Sequence, residues 1–126
     1  MKVLQVINTA YRATIEEQDD TVVWLTHAMT GAGGDFDLLL TGEAVNYTVA
    51  RQDASGLAFG DWQQTEPPRL ARDIGSLPAK GVRVFVLDED AEELGLPVTE
   101  QMADTERVSR EELADLYGRY EQIWHW

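Results

Sequence analysis

Short apolar runs alternate along this chain with amphipathic stretches of helical period. Val3-Leu4-Gln5-Val6-Ile7 is nearly continuous and apolar, the pattern of a strand buried on both faces. A polar loop follows, Asn8 to Ala13. Thr14 and Glu17 then stand at the spacing of a capping box, which predicts a helix from there to about Met29, with Gly31, Gly33 and Gly34 ending it. Phe36 to Leu40 reads as a second strand and Gly42 to Val49 as a short helix. Pro67-Pro68 opens a helix over Arg69 to Leu77, closed by Pro78 and Gly81. Val82 to Leu87, β-branched and aromatic, is the clearest strand. A helical turn is expected over 90–95, stopped by Pro97. Ser109 and Glu112 form another capping box, flanked by Val108 and Leu113 at the spacing of a hydrophobic staple, and that helix should reach Tyr117. The alternating aromatic segment Tyr120 to Trp126 suggests a last strand.

Strands alternating with helices over short connections imply a parallel sheet covered on both faces, so a small three-layer α/β domain is expected. At 126 residues the chain has the length of one domain, read as 1–126. One stretch resists the pattern. Ala50 to Glu66 has no clear period yet contains Phe59 and Trp62, and long irregular loops in compact domains are usually functional.

Charge narrows the range of partners. Twenty-three acids against ten bases give a formal charge of −13, which argues against nucleic acid and against anionic membranes. The chain has no cysteine, excluding disulfides, thiolate metal sites and cysteine nucleophiles. The apolar run after Met1 is too short for a signal peptide core, and no stretch approaches a membrane span, so a cytoplasmic location is expected. The acidic run Asp88-Glu89-Asp90-Ala91-Glu92-Glu93 lacks the glycine and final glutamate of a calcium loop. It reads as a helix start, where acids are favoured, and no metal or cofactor is expected.

In open α/β sheets ligands bind beyond the carboxyl ends of the strands. That rule selects Asn8, Tyr11 and Arg12 after the first strand, Asn46 and Tyr47 after the second, and Asp88 after the third. Together they would offer donors and a stacking face to a small polar ligand. Alternatively, Arg12 pairs with a nearby acid and Tyr47 packs beneath the long loop. Nucleophilic chemistry is poorly supported. Ser55 lacks a nucleophile elbow, and neither His27 nor His125 is placed beside it, so no catalytic residue is assigned. On the first helix Val22, Leu25, Ala28, Met29 and Ala32 share one side, while Val23, Trp24 and His27 share another. The second side, with Phe59 and Trp62 of the irregular loop, is the candidate protein interface.

Several segments resemble the DsrE/DsrF-like family, which includes the TusD-type sulfur-relay subunits. They are Asp20-Thr21-Val22-Val23-Trp24-Leu25, Thr41-Gly42-Glu43-Ala44-Val45, Lys80-Gly81-Val82-Arg83-Val84-Phe85-Val86-Leu87 and Glu92-Glu93-Leu94-Gly95-Leu96. The resemblance implies a three-layer α/β/α sandwich with a mainly parallel five-stranded sheet. It also implies a homo-oligomer (dimer, trimer or hexamer), in some members built with a related subunit. Sulfur-carrying members hold a cysteine at the end of a strand, about eight residues before the glycine of an Arg-Gly pair. Aligned on Gly95, that position is Leu87 here, and Leu94 stands for the arginine. A leucine cannot replace a thiolate, so this chain cannot carry a persulfide itself.

Two readings follow. The first is a non-catalytic oligomeric subunit or interaction module, which the resemblance links to sulfur metabolism. The second is a binder of, or enzyme for, a small polar ligand in the cleft at the carboxyl ends of the strands.

Overall fold

The computed structural model describes residues 1–11, 20–52 and 56–126. The elements, in chain order, begin with β1 (Lys2–Ile7), α1 (Thr21–Gly31), β2 (Asp35–Leu40) and a 3-10 segment (Gly42–Thr48). Two short strands, β3 (Ala58–Phe59) and β4 (Trp62–Gln63), precede α2 (Leu70–Gly75) and a 3-10 turn (Pro78–Lys80). Then come β5 (Val84–Leu87), α3 (Asp88–Glu93), a 3-10 turn (Val98–Glu100) and β6 (Thr105–Val108). A 3-10 turn (Arg110–Glu112) runs into α4 (Leu113–Tyr117), and β7 (Gln122–His125) ends the chain.

Five strands form one sheet in the order β6-β5-β2-β1-β7, every described pairing parallel. Strand pleat sends alternate residues to opposite faces. Ile7, Leu38, Leu40 and Val84 therefore meet Val22 and Val23 of α1 and Leu70 and Ile74 of α2. Leu4, Val6, Leu39, Phe85 and Val108 meet Leu116 of α4 on the other face. A smaller cluster, Val45, Val86 and Ala91, closes the carboxyl end under α3. The α/β class and the layered parallel sheet match the expectation.

Some local expectations change. The capping box at Thr14 and Glu17 lies outside the described residues. α1 is capped by Asp20, whose carboxylate accepts the N–H groups of Val22 at 2.9 Å and Val23 at 3.2 Å. The buried side of α1 is Val22, Val23 and Thr26, so Val23 belongs to the core and leaves the candidate interface. Thr26 is tolerated there because its hydroxyl donates to the Val22 carbonyl (2.8 Å) and accepts from the buried Gln5 amide (2.5 Å). The irregular stretch contains the antiparallel β3–β4 hairpin. β6, one of the two edge strands, has no counterpart in the apolar pattern of the sequence.

Candidate functional site

β5 and β6 release the chain to opposite faces of the sheet. α3 packs on the α1–α2 side through Ala91 against Val45 and Val86, whereas α4 covers the other face through Leu116. The carboxyl ends of these two strands therefore form a switch point, where a ligand crevice would open. In this chain three of its own carboxylates line it. Glu89 accepts the Arg110 N–H through both oxygens, at 2.9 and 2.8 Å. Asp90 accepts the Gly42 N–H at 2.6 Å and lies 3.5 Å from the Arg110 guanidinium. Asp88 pairs with Arg107 of β6. The backbone donors of Gly42 and Arg110 are thus engaged by Asp90 and Glu89, whereas the buried Arg107 Nη2 has no hydrogen-bond partner.

The opening at Gly42 depends on glycine. Its φ is +53°, and a Cβ there would stand 2.5 Å from Asn8 Oδ1. Asn8 in turn accepts the Thr41 hydroxyl at 3.0 Å, and its N–H donates to the Trp126 carbonyl at 3.2 Å. Asn8 thus ties together the ends of β1, β2 and β7.

A second polar group lies beyond β1. The buried Tyr47 hydroxyl donates to Asp20 Oδ2 at 2.6 Å and accepts the Tyr11 N–H at 2.6 Å. Burial, followed by the hydrogen bond to Asp20, pushes the Tyr47 phenol well above its ordinary pKa. Tyr11 stands edge-on to Tyr47, centroids 5.2 Å apart and planes at 85°. Its backbone is left-handed, φ 56°, and its ring is 50% exposed, with the hydroxyl 3.4 Å from Gln52 Oε1. Gln52 donates to the carbonyls of Asn46 (2.9 Å) and Val49 (3.0 Å), and Asn46 donates to the Glu43 carbonyl at 2.9 Å.

The predicted ligand residues therefore separate. Tyr11 and Tyr47 touch, and Asn46 joins them through Gln52. Asn8 and Asp88 serve other contacts, and Arg12 lies outside the described residues. Tyr47 is a core side chain bridging α1 and the Tyr11 segment, so it offers a ligand no stacking face. Asp20, Gln52, Arg107 and Arg110 escaped sequence reasoning. An Asp-Thr pair just before Val22-Val23 is itself a capping signal and could have revealed Asp20.

Of the interface candidates, Trp24 is 60% exposed. His27 is half-buried and engaged: its Nε2 lies 2.8 Å from the Asp73 carbonyl and its Nδ1 2.8 Å from Lys80 Nζ. The ammonium can only donate, so Nδ1 accepts and Nε2 carries the proton for the carbonyl. His27 joins α1 to α2 and cannot act as a base toward Ser76, whose Oγ is 3.5 Å from the same Nε2. Phe59 and Trp62 face each other across the β3–β4 hairpin, stacked at 6.1 Å and 27°. Among the described residues no cluster of acids and histidines has the makings of a metal site, and no helix is long and apolar enough to cross a membrane.

No family model matches this chain, and no curated protein matches it in sequence. Solved structures do match. The ychN protein of E. coli superposes with a TM-score of 0.70 at 15% identity, covering 99% of this chain and 98% of that one. A protein of unknown function from Methanobacterium thermoautotrophicum, MTH1491, superposes with a TM-score of 0.61 at 13% identity, over 98% and 97% of the two chains. What is shared is the fold. At such identities the likeness extends to architecture over the full length and not to any particular side chain.

Proposed function

We propose that this chain is a cysteine-free DsrE-like module that assembles with copies of itself or with a related subunit. In this reading it acts in the cytoplasm as a non-catalytic member of a sulfur-handling system. A partner supplies the thiol. The family assignment is part of the proposal; it is supported by the segments quoted above and by the full-length fold match to ychN. The non-carrying role is supported at β5, where Leu87, at the position of the family's cysteine, is only 4% exposed.

The observation that carries the reading is the stacked Phe59–Trp62 pair, 68% and 44% exposed on a projecting hairpin. Large aromatics held rigid and left in water are what protein interfaces bury. The carboxylates of Glu89 and Asp90, which take backbone donors at the ends of β2 and β6, support the same conclusion from the opposite side, since an anionic ligand there would compete with them.

Native mass spectrometry of the purified chain tests this reading. A discrete assembly of two, three or six copies without added small-molecule mass is the expected result. A monomer throughout the micromolar range, or a small molecule retained in stoichiometric amount, overturns it.

A further inference from the structure

The chain contains two lysines, Lys2 and Lys80, and the structure gives their amines different neighbours. Lys2 Nζ lies 3.6 Å from the buried Asp37 carboxylate and 5.3 Å from the centroid of the Tyr120 ring. Both contacts are made by the charged ammonium and are lost when the nitrogen becomes an amide. Lys80 Nζ instead meets a base, His27 Nδ1, at 2.8 Å.

Three elements build that contact. Near the end of α2 the Leu77 N–H donates to the Ile74 carbonyl at 3.2 Å and not to Asp73, four residues back. The Asp73 carbonyl is taken by side chains: His27 Nε2 of α1 at 2.8 Å and the Ser76 hydroxyl at 3.0 Å. The turn Pro78–Lys80 then carries Lys80 to the other ring nitrogen, its own N–H fixed to the Leu77 carbonyl at 2.9 Å. With Nε2–H committed to Asp73, Nδ1 keeps its lone pair for the amine. Amine, imidazole and carbonyl thus form a relay of nucleophile, base and orienting group. The relay is open to reagents, since Ala79, Lys80 and Gly81 are exposed and nothing lies within 4 Å of where a Cβ on Gly81 would stand.

Such a relay suits one class of reagent. When an amine adds to an acyl carbonyl its nitrogen becomes positive and must lose a proton. With an active ester the leaving group departs at once, and a base gains little. With a thioester the adduct reverts unless the proton is removed, so a base at hydrogen-bond distance raises the rate.

We propose that Lys80 is an acyl-acceptor site for thioesters, with His27 as its general base. The uncharged Lys80 amine attacks the thioester carbonyl and forms the N–C bond. His27 Nδ1 takes the excess proton from that nitrogen, while its Nε2–H stays on the Asp73 carbonyl. The C–S bond breaks, the sulfur leaves with the bonding pair, and the proton passes from His27 to the departing thiolate. The product amide keeps one N–H for Nδ1, so acylation removes a positive charge and preserves the link between α1 and the turn. This modification is independent of the assembly reading.

The full chain is incubated at about pH 8 with a small acetyl thioester, S-acetyl-N-acetylcysteamine, or with N-hydroxysuccinimidyl acetate. Mass spectrometry of the peptides gives the acetylation rate of each lysine. Dividing the thioester rate by the active-ester rate at the same lysine removes differences in exposure. That quotient should be about tenfold larger at Lys80 than at Lys2. In His27→Asn the side-chain oxygen can accept from Lys80 but takes no proton. There the thioester rate at Lys80 should fall about tenfold, with the active-ester rate unchanged to within about twofold. Equal quotients at the two lysines of the unaltered chain overturn the proposal, whether or not the variant folds. An unchanged thioester rate in His27→Asn also overturns it, as does an equal loss with both reagents, which would leave His27 a packing role alone.

Discussion

Tyr47→Phe removes one oxygen atom from the core and leaves two groups behind. Asp20 Oδ2 loses the donor at 2.6 Å, and the Tyr11 N–H loses its acceptor at 2.6 Å. Asp20 is fully buried, so water cannot readily replace the phenol. A hydrogen bond to a carboxylate contributes about 1.5–3 kcal/mol, and a neutral one about 1 kcal/mol. The Asp20 cap survives, because Oδ1 keeps the N–H groups of Val22 and Val23. The Tyr11 N–H is only partly buried and recovers some of its loss from solvent. The net loss should be about 3 kcal/mol, a large share of the roughly 5–15 kcal/mol available to a domain. For a chain of this length that lowers Tm by about 12 °C.

Urea unfolding followed by circular dichroism measures the effect. Tyr11→Phe is the matched control: it deletes only the exposed hydroxyl near Gln52, at 3.4 Å, and should change stability by less than about 0.5 kcal/mol. A double-mutant cycle adds the specificity. In an Asp20→Ala background, Tyr47→Phe should lose most of its effect, giving a coupling energy of about 2 kcal/mol. A Tyr47→Phe protein within about 0.5 kcal/mol of the unaltered chain would refute the bridge, as would strictly additive losses with Asp20→Ala.

Alkaline pH probes the same bridge together with its counterpart on the other face, where the Tyr120 hydroxyl donates to Asp37 at 2.6 Å. Burial first, then these hydrogen bonds, raise both phenols above the ordinary 10.0, so their contribution is complete below that pH and is lost as pH rises beyond it toward the folded-state values. Urea midpoints should fall more steeply between about pH 10 and about pH 11 for the unaltered chain than for Tyr47→Phe/Tyr120→Phe, and parallel curves would exclude the mechanism. Leu87→Cys asks whether a thiol at the end of β5 would be reachable. Because Leu87 is 4% exposed, a disulfide reagent should react on the order of a hundred times more slowly with the native than with the denatured variant, and rapid native labelling would show that the end of β5 opens.

The inner strands were legible because burial on both faces makes them nearly continuous apolar runs, as in Val84 to Leu87 and, broken only by Asp37, Phe36 to Leu40. β6 was not, because an edge strand does not need that signal. Thr105-Glu106-Arg107-Val108 is held partly by ion pairs outside it, Glu106 with Arg83 and Arg107 with Asp88. The β3–β4 hairpin has two residues per strand, too few for any period to register. Helical spacing grouped Val23 with Trp24, adjacent residues 100° apart, and could not say where between them the surface begins. The carboxyl-end rule found Tyr11 and Tyr47, and found them in contact. It could not tell that Tyr47 is buried, since its partner Asp20 is 27 residues away in the chain.

The acidic run 88–93 gives a physical account of what holds the carboxyl end of the sheet together. As composition it looked like a solvated helix start, and α3 does begin there, with Asp88, Glu89 and Asp90 in its first turn. Yet each of the three reaches a different element: Asp88 pairs with Arg107 in β6, Glu89 takes the N–H of Arg110 after β6, and Asp90 takes the N–H of Gly42 after β2. Three successive carboxylates thus stitch together the ends of β2, β5 and β6, one through an arginine side chain and two through backbone donors that an anionic ligand would otherwise exploit. A cysteine at Leu87 would sit directly before these charges, which oppose ionisation of a thiol and outweigh the weak dipole of a six-residue helix. A thiol introduced at Leu87 should therefore remain poorly reactive at neutral pH.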